Sequence, residues 1–445
     1  MRGGAAIRLW LAVALALFAA PAAAHASVGN FAMAVQPDGR ILVAGGAGHV
    51  GPSPNREFGA VVRYLSNGKL DRSFGGGDGV VNLPRMQPIT AIALQRDRRI
   101  VIAAPAGGTA GLARLLPDGH LDGNFGFAGF ASSGADYPPY PTSLGVSRSG
   151  KIFVGGMTGY LNDPGEHWYG SIHRVDAGGR SGAWIGSMTN REGAPGEPKT
   201  FVNDFVLGKG ESVIGAGSLA PRELGARSQA VLARLVPGTY TGNLVTGPDP
   251  SFGGGAGLVL SNFFPPAPEV ANALSRDGNG LLVAGQADGK LLLARYSGEG
   301  FLDTSFGRGG AFVTSGGRHG EATANALVVR GKRIYTAGSS TFRCGKGSCR
   351  GVLLTRHKSN GKLDRRFSGN GVVSPKVEGG GGSGSEVAYD LAVGPQGEVL
   401  VGGLLTGSNS NRFFLRRYLA DGKPDGTFGR EGRVTTLPAA VKPAR

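Results

Sequence analysis

The chain has 445 residues, 81 of them glycine and two cysteine, with 40% hydrophobic and 18% charged residues and a formal net charge of +16. The glycines follow no Gly-x-y period, which excludes collagen. The apolar content suffices for a packed core, and the basic excess favours encounter with anionic partners.

The first element is a leader. Arg2 and Arg8 form a charged start, Leu9 to Ala20 is an apolar run too short to span a bilayer comfortably, and Ala24-His25-Ala26 is a small-x-small cleavage site before Ser27. Residues 1–26 therefore read as a signal peptide, and the chain as exported, secreted or cell-surface associated. Its removal takes two arginines and no acid, leaving +14. With no later apolar stretch of spanning length, the mature chain is expected to be a soluble monomer. Residues 27–437 are expected to form one repeat domain and 438–445 a disordered tail.

Beyond the leader one unit recurs. Arg63, Arg114, Arg174, Arg234, Arg295, Arg356 and Arg417 follow one another at gaps of 51, 60, 60, 61, 61 and 61 residues. Self-similarity at a fixed period means one structural unit copied along the chain, each too small to close a core alone. The first copy runs Ala34-Val35-Gln36, Pro37-Asp38-Gly39, Arg40 to Gly45, then Val61-Val62-Arg63-Tyr64 and Asn67-Gly68. Asn67-Gly68 is a hairpin turn signal, repeated by Asp118-Gly119, Asn360-Gly361 and Asp421-Gly422. The third copy keeps Gly150 to Gly155 and Ile172 to Val175, with Trp184 as the candidate for its aromatic slot, and the fourth delays its Asp249 and Phe252-Gly253. The fifth, from Ala273 to Val313, is the cleanest. Gly379 to Gly384 is a flexible glycine-serine segment. Short β-type runs between glycine, aspartate and asparagine turns mean antiparallel sheet. Four such strands per unit, seven times over, predict an all-β fold, a seven-bladed β-propeller.

The unit x-x-D-G-[KR]-[IL]-L-V-[AG]-G followed by [LV]-x-R-[YL]-x-x-[DN]-G-x-L-D-x-x-F-G-x-x-G resembles the delta-60 repeat family of bacterial exported and surface proteins, over roughly residues 31 to 436. The resemblance implies a propeller-like fold and brings no activity or catalytic residue with it.

Five arginines are followed eight residues later by an aspartate: Arg63 by Asp71, Arg114 by Asp122, Arg295 by Asp303, Arg356 by Asp364 and Arg417 by Asp425. Three residues further stands a phenylalanine, from Phe74 to Phe428. Five copies suit a scaffold rather than a site: the ion pair fixes a turn within a blade, and the phenylalanine plugs the space between blades. Cys344 and Cys349 are expected to form a local disulfide pinning one loop.

If the Asp-Gly turns join strands one and two, the diverse loops joining strands two and three share the opposite face, which is the expected binding surface. The richest loop carries Tyr160, Asp163, Glu166, His167 and Trp168, a mix suited to stacking a sugar or holding a cation. His49, Glu57 and His319 are weaker candidates. Gly46 to Gly51 matches GxGxxG, but Pro52-Ser53-Pro54 cannot open the required helix. Gly345-Lys346 lacks the rest of a phosphate loop. Nothing in the pattern calls for a metal or cofactor, and no catalytic residue is assigned. The expected function is a non-catalytic module binding a surface or extracellular ligand: an anionic wall polymer, a glycan or another surface protein, with no specific nucleic acid. The alternatives are a glycan lyase or hydrolase with its site at the axial mouth, and a structural spacer.

Overall fold

The computed structural model describes residues 31–47, 58–106, 109–133, 140–159, 168–188, 199–220, 227–237, 248–255, 257–263, 265, 267–315, 320–344, 347–374, 385–406 and 411–436. They form seven four-stranded antiparallel sheets, the blades of a propeller. Blade 1 is β1 (Phe31–Val35), β2 (Ile41–Ala47), β3 (Phe58–Tyr64) and β4 (Val80–Leu83). Blade 2 is β5 (Ala91–Leu94), β6 (Ile100–Ala106), β7 (Thr109–Leu115) and β8 (Phe130–Ser132). Blade 3 is β9 (Tyr140–Val146), β10 (Ile152–Gly159), β11 (Trp168–Val175) and β12 (Gly182–Ser187). Blade 4 is β13 (Lys199–Leu207), β14 (Val213–Ala220), β15 (Gln229–Leu235) and β16 (Leu258–Leu260). Blade 5 is β17 (Glu269–Asp277), β18 (Gly280–Ala287), β19 (Lys290–Tyr296) and β20 (Ala311–Thr314). Blade 6 is β21 (Ala322–Arg330), β22 (Arg333–Cys344), β23 (Gly347–Lys358) and β24 (Val372–Val373). Blade 7 is β25 (Ser385–Val393), β26 (Val399–Thr406), β27 (Asn411–Tyr418) and β28 (Arg433–Thr436). The described residues add only two short 3-10 turns, Lys209–Glu211 and Phe252–Gly254.

Within each blade the strands pair in chain order. The first strands are innermost: β1 touches β5, and so on through β9, β13, β17, β21 and β25, which returns to β1. Both faces of a blade are covered by neighbours, so the second strands read as continuous apolar runs rather than as alternations. Leu42 and Ala44 pack into a cluster shared with blade 2, while Ile41 and Val43 pack into one shared with blade 7. Every one of the seven seams has its own apolar cluster drawn from two adjacent blades. A blade thus has no core of its own, and the closed ring is the folding unit.

The innermost strands carry a polar device that the sequence reading missed. The register slips by one residue opposite β10, β14, β18, β22 and β26. The extra residue of such a bulge is freed from the ladder. In four of the five it reaches into the next blade. Thr142 donates to the carbonyl of Val202, Asn203 to Ala271, Asn272 to Ala324 and Asn325 to Ala388, at 2.5 to 2.9 Å. The residues after two of the bulges, Asp204 and Asp390, accept the backbone N–H groups of Leu274 and Met33 at 2.8 and 3.0 Å. The Asp390 bond joins the last blade to the first.

Candidate functional site

The geometry of the repeated arginines separates scaffold from site. Arg63 leaves β3 and donates through Nε to Asp71 Oδ2 at 2.8 Å. The same Nε pairing recurs for Arg114 with Asp122, Arg295 with Asp303 and Arg417 with Asp425, at 2.7 to 2.8 Å, while Arg356 reaches Asp364 through Nη2 at 3.0 Å. Arg234 reaches its late partner Asp249 at 2.8 Å. Each of these guanidiniums also lies 4.4 to 5.2 Å from the centroid of its own repeat's phenylalanine. A second nitrogen then crosses the seam. Arg63 Nη1 donates to the Pro117 carbonyl, Arg114 to Ala177, Arg295 to Ser359, Arg356 to Ala420 and Arg417 to Ser66.

The phenylalanine crosses with it. A Cβ on Gly119, whose φ is +95°, would lie 2.8 Å from the Phe74 ring, and one on Gly68 would lie 3.0 Å from Phe428. The turn glycine of one blade is therefore the seat of its neighbour's aromatic plug. The clamp pairs within a blade and also fastens adjacent blades. Ser73, which donates to the same carboxylate, and Arg63 hold Asp71 below the usual carboxylate range against the opposing effect of burial.

Blade 3 is fastened differently. Its chain passes from the turn at Gly178-Gly179 straight into β12, so no plug segment exists, and Trp184 lies inside that strand opposite His173. Arg174 and Lys151 instead converge on Glu211, a carboxylate supplied by blade 4. The loss of the repeat aspartate in this copy is thereby explained.

Three buried polar groups also escaped the sequence reading. His357 Nδ1 donates to the Gly361 carbonyl at 2.9 Å, and its Nε2 accepts the Thr355 hydroxyl at 2.7 Å. Thr355 meets Thr336 at 2.7 Å. His173 meets Ser171 at 3.2 Å. Burial pushes His357 down to about 4 and His173 to about 3, so both are neutral seam residues. Glu386, fully buried, is held by Arg416 at 2.8 Å and by Arg433. Local sequence carried little signal for these: His357 stands between Arg356 and Lys358, and Glu386 follows a glycine-serine segment.

Of the loop candidates, Tyr160, Asp163, Glu166 and His167 lie outside the described residues, as do His49, Glu57 and His319. Trp168 opens β11 with its backbone opposite Gly159. Most of the loops joining second and third strands fall outside the described residues too.

The described surface offers a different candidate. Along the outer edge of blade 2 runs an open cleft of about 600 Å³, lined by Arg85, Leu112, Phe127, Phe130 and Arg180. Phe127 and Phe130 flank a tight turn that bonds back on itself, with Ala128 and Gly129 both at positive φ. Blade 5 builds the same turn with Arg308 and Ala311, and blade 7 with Arg430 and Arg433. Phe127 is 87% exposed, and the Arg85 guanidinium lies 5.9 Å from the Phe130 ring. Arg180 enters from the turn of blade 3. The cleft thus brings two aromatic rings and two cations together.

A family model described as "Domain of unknown function (DUF5122) beta-propeller" matches residues 36–74 and 395–428, segments of the first and last blades. No curated protein matches. Among solved structures, the chain is similar to a PL25-family polysaccharide lyase, an ulvan lyase, at 12% identity, covering 78% of this chain and 81% of that one, TM-score 0.40. It is similar to the polysaccharide lyase Uly1 at 11% identity, covering 74% and 77%, TM-score 0.42. It is also similar to a protein from Lactobacillus plantarum at 11% identity, covering 89% and 99%, TM-score 0.41.

Proposed function

We propose that this is an exported, non-catalytic propeller that binds an anionic polymer, a wall polymer or acidic glycan, through the aromatic–arginine cleft of blade 2. Export is supported by the charged start, apolar run and cleavage motif of residues 1–26. The observation that carries the binding reading is the exposure of Phe127 beside Arg85 and Arg180. Phe127 does not stand alone: it lines one cleft with Leu112 and Phe130, and contiguous apolar surface rimmed by charge marks an interaction site. Sugar rings present flat C–H faces that stack on phenylalanine, while guanidiniums take carboxylate, sulfate or phosphate oxygens in pairs. The basic balance of the whole chain adds long-range attraction of the same sign.

The test is calorimetry with polygalacturonate against dextran as the neutral control. Polygalacturonate is expected to bind, more weakly as salt rises. Phe127→Ala should weaken it about three- to tenfold without lowering the melting temperature. Binding no better than dextran at low salt, or an indifferent Phe127→Ala protein, would refute the reading.

A further inference from the structure

Blade 5 departs from blades 1 and 2 at one place, in three ways together. In blade 1, Asp71 Oδ2 receives two guanidiniums: Arg63 at 2.8 Å and Arg40, the residue before β2, at 2.9 Å. Blade 2 repeats this, with Arg114 at 2.8 Å and Arg99 at 3.1 Å on Asp122. In blade 6, Arg333 stands 3.8 Å from Asp364. The corresponding residue of blade 5 is Gly280, in a turn one residue shorter. The residue after the next turn's glycine is Lys69, His120, Lys362 and Lys423 in blades 1, 2, 6 and 7, but Phe301 in blade 5. In blades 1 and 2 a buried glutamine, Gln36 or Gln95, ends the first strand's run; the same position is Asp277 in blade 5, Arg330 in blade 6 and Gly394 in blade 7. Two cations are lost and one carboxylate is gained.

The space left is a pocket of about 410 Å³ lined by Asp277, Arg295, Tyr296, Phe301, Leu302 and Asp303. Arg295 holds Asp303 at 2.8 Å and stands 3.6 Å from Asp277, so one cation faces two carboxylates. Asp303 is 32% exposed, against 5% for Asp71. Blade 7 also lacks the second arginine, having Glu398, yet keeps Asp425 at 10%. Phe301 is 58% exposed and forms one wall. The Ser305 hydroxyl and N–H take the other oxygen of Asp303, leaving Oδ2 directed at Arg295 and the pocket.

We propose that this pocket is a receptor for the guanidinium of an arginine side chain presented by a partner polypeptide, seated where Arg40 and Arg99 sit in blades 1 and 2. The carboxylates supply the acceptor geometry that their counterparts already offer to arginine, and Phe301 supplies a face for the cation and its aliphatic stem. The site is independent of the blade 2 cleft: it carries the opposite charge preference.

The test uses the whole protein and the peptide acetyl-Gly-Arg-Gly-amide, followed by NMR shifts at low salt, with citrulline replacing arginine as the neutral control. The arginine peptide should bind and the citrulline peptide should bind at least tenfold more weakly. The double variant Asp277→Gln, Phe301→Lys restores the residue types of the sister blades at two exposed or half-exposed positions, so it should fold with an unchanged melting temperature and lose the peptide. A Gly280→Arg protein, filling the pocket from within, should lose it too. Equal binding of both peptides, no binding of either, or a folded double variant that binds like the parent would overturn the proposal.

Discussion

Arg417, in the last blade, donates to the main-chain carbonyl of Ser66 in the first. Phe428 seats against Gly68 of the same turn, and the Gly429 N–H reaches Asn67 at 2.9 Å. The ring is closed by the contacts that join the other seams, while β28 pairs with its own neighbour β27. The clamp therefore sets stability wherever it occurs, and its copies differ in burial enough to be ranked.

Arg356 is only 2% exposed, whereas Arg295 is 21% exposed beside the open pocket. Arg356→Ala should lower the unfolding free energy by about 3 kcal/mol, because it leaves buried Asp364 with only the exposed Arg333, 3.8 Å away. Arg295→Ala should cost about 1 kcal/mol, since water screens that pair. Urea titration of both variants checks the order. Equal costs would show that burial of the clamp is not what matters.

The two seam histidines set the acid limb. Each has a folded pKa far below its unfolded 6.5. Each therefore contributes stability that is full above about pH 6.5 and falls as pH drops toward about 4 for His357 and about 3 for His173. The slope is about 1.4 kcal/mol per pH unit for each histidine. Asp71, Asp303 and Asp425 are depressed as well, so their contribution is lost only below the ordinary carboxylate range. Between about pH 4 and 6 the histidines should dominate. His357→Gln should remove one proton from the uptake measured on unfolding at pH 5, and an unchanged uptake would contradict this.

Asn325→Ala removes the buried amide that joins the bulge of blade 6 to the Ala388 carbonyl. A loss of about 1–3 kcal/mol is expected. Asn272 contacts Asn325 at 3.4 Å, so Asn272→Ala combined with it should deviate from additivity. Strict additivity would show that the inner polar contacts act singly.

Cys344 and Cys349 lie at the tip of the β22–β23 hairpin, facing Gly347 and Phe342 in register. We expect them to be joined. Denatured protein should then react with a thiol reagent only after reduction, and Cys349→Ser should cost about 2 kcal/mol, as a short loop allows. Reaction of unreduced, denatured protein would exclude the bond.

The blade count and strand order were legible in the sequence because the Arg–Asp–Phe offsets recur at constant spacing, and constant spacing follows from one structural unit. The phenylalanine's place between blades was legible, but the arginine's bond across the seam was not, because Pro117 and Ser66 contribute only main-chain carbonyls, which carry no side-chain signature. The bulge residues were hidden for a related reason. Asn272 and Asn325 sit inside short apolar strands, and only the slipped register shows that they leave the ladder. The fifth repeat, cleanest as a pattern, proved the most open as an object, because the pattern places no weight on the residue before the second strand. The aromatic–arginine cleft depends on Phe127 occupying a position that other repeats leave variable, so no periodic argument points to it.

Since each sheet is built from one continuous stretch and meets its neighbours only through side chains, turns and the inner bulges, the order of the repeats in the gene is not what encloses the ring. A circular permutant that starts at Ala91, with the old ends bridged by a segment as short as residues 84–90, reconstitutes the same seven junctions. The cut merely chooses which junction must find itself without a covalent tether. By that logic the clamp-poor junction between blades 3 and 4 is the least forgiving place to begin such a chain.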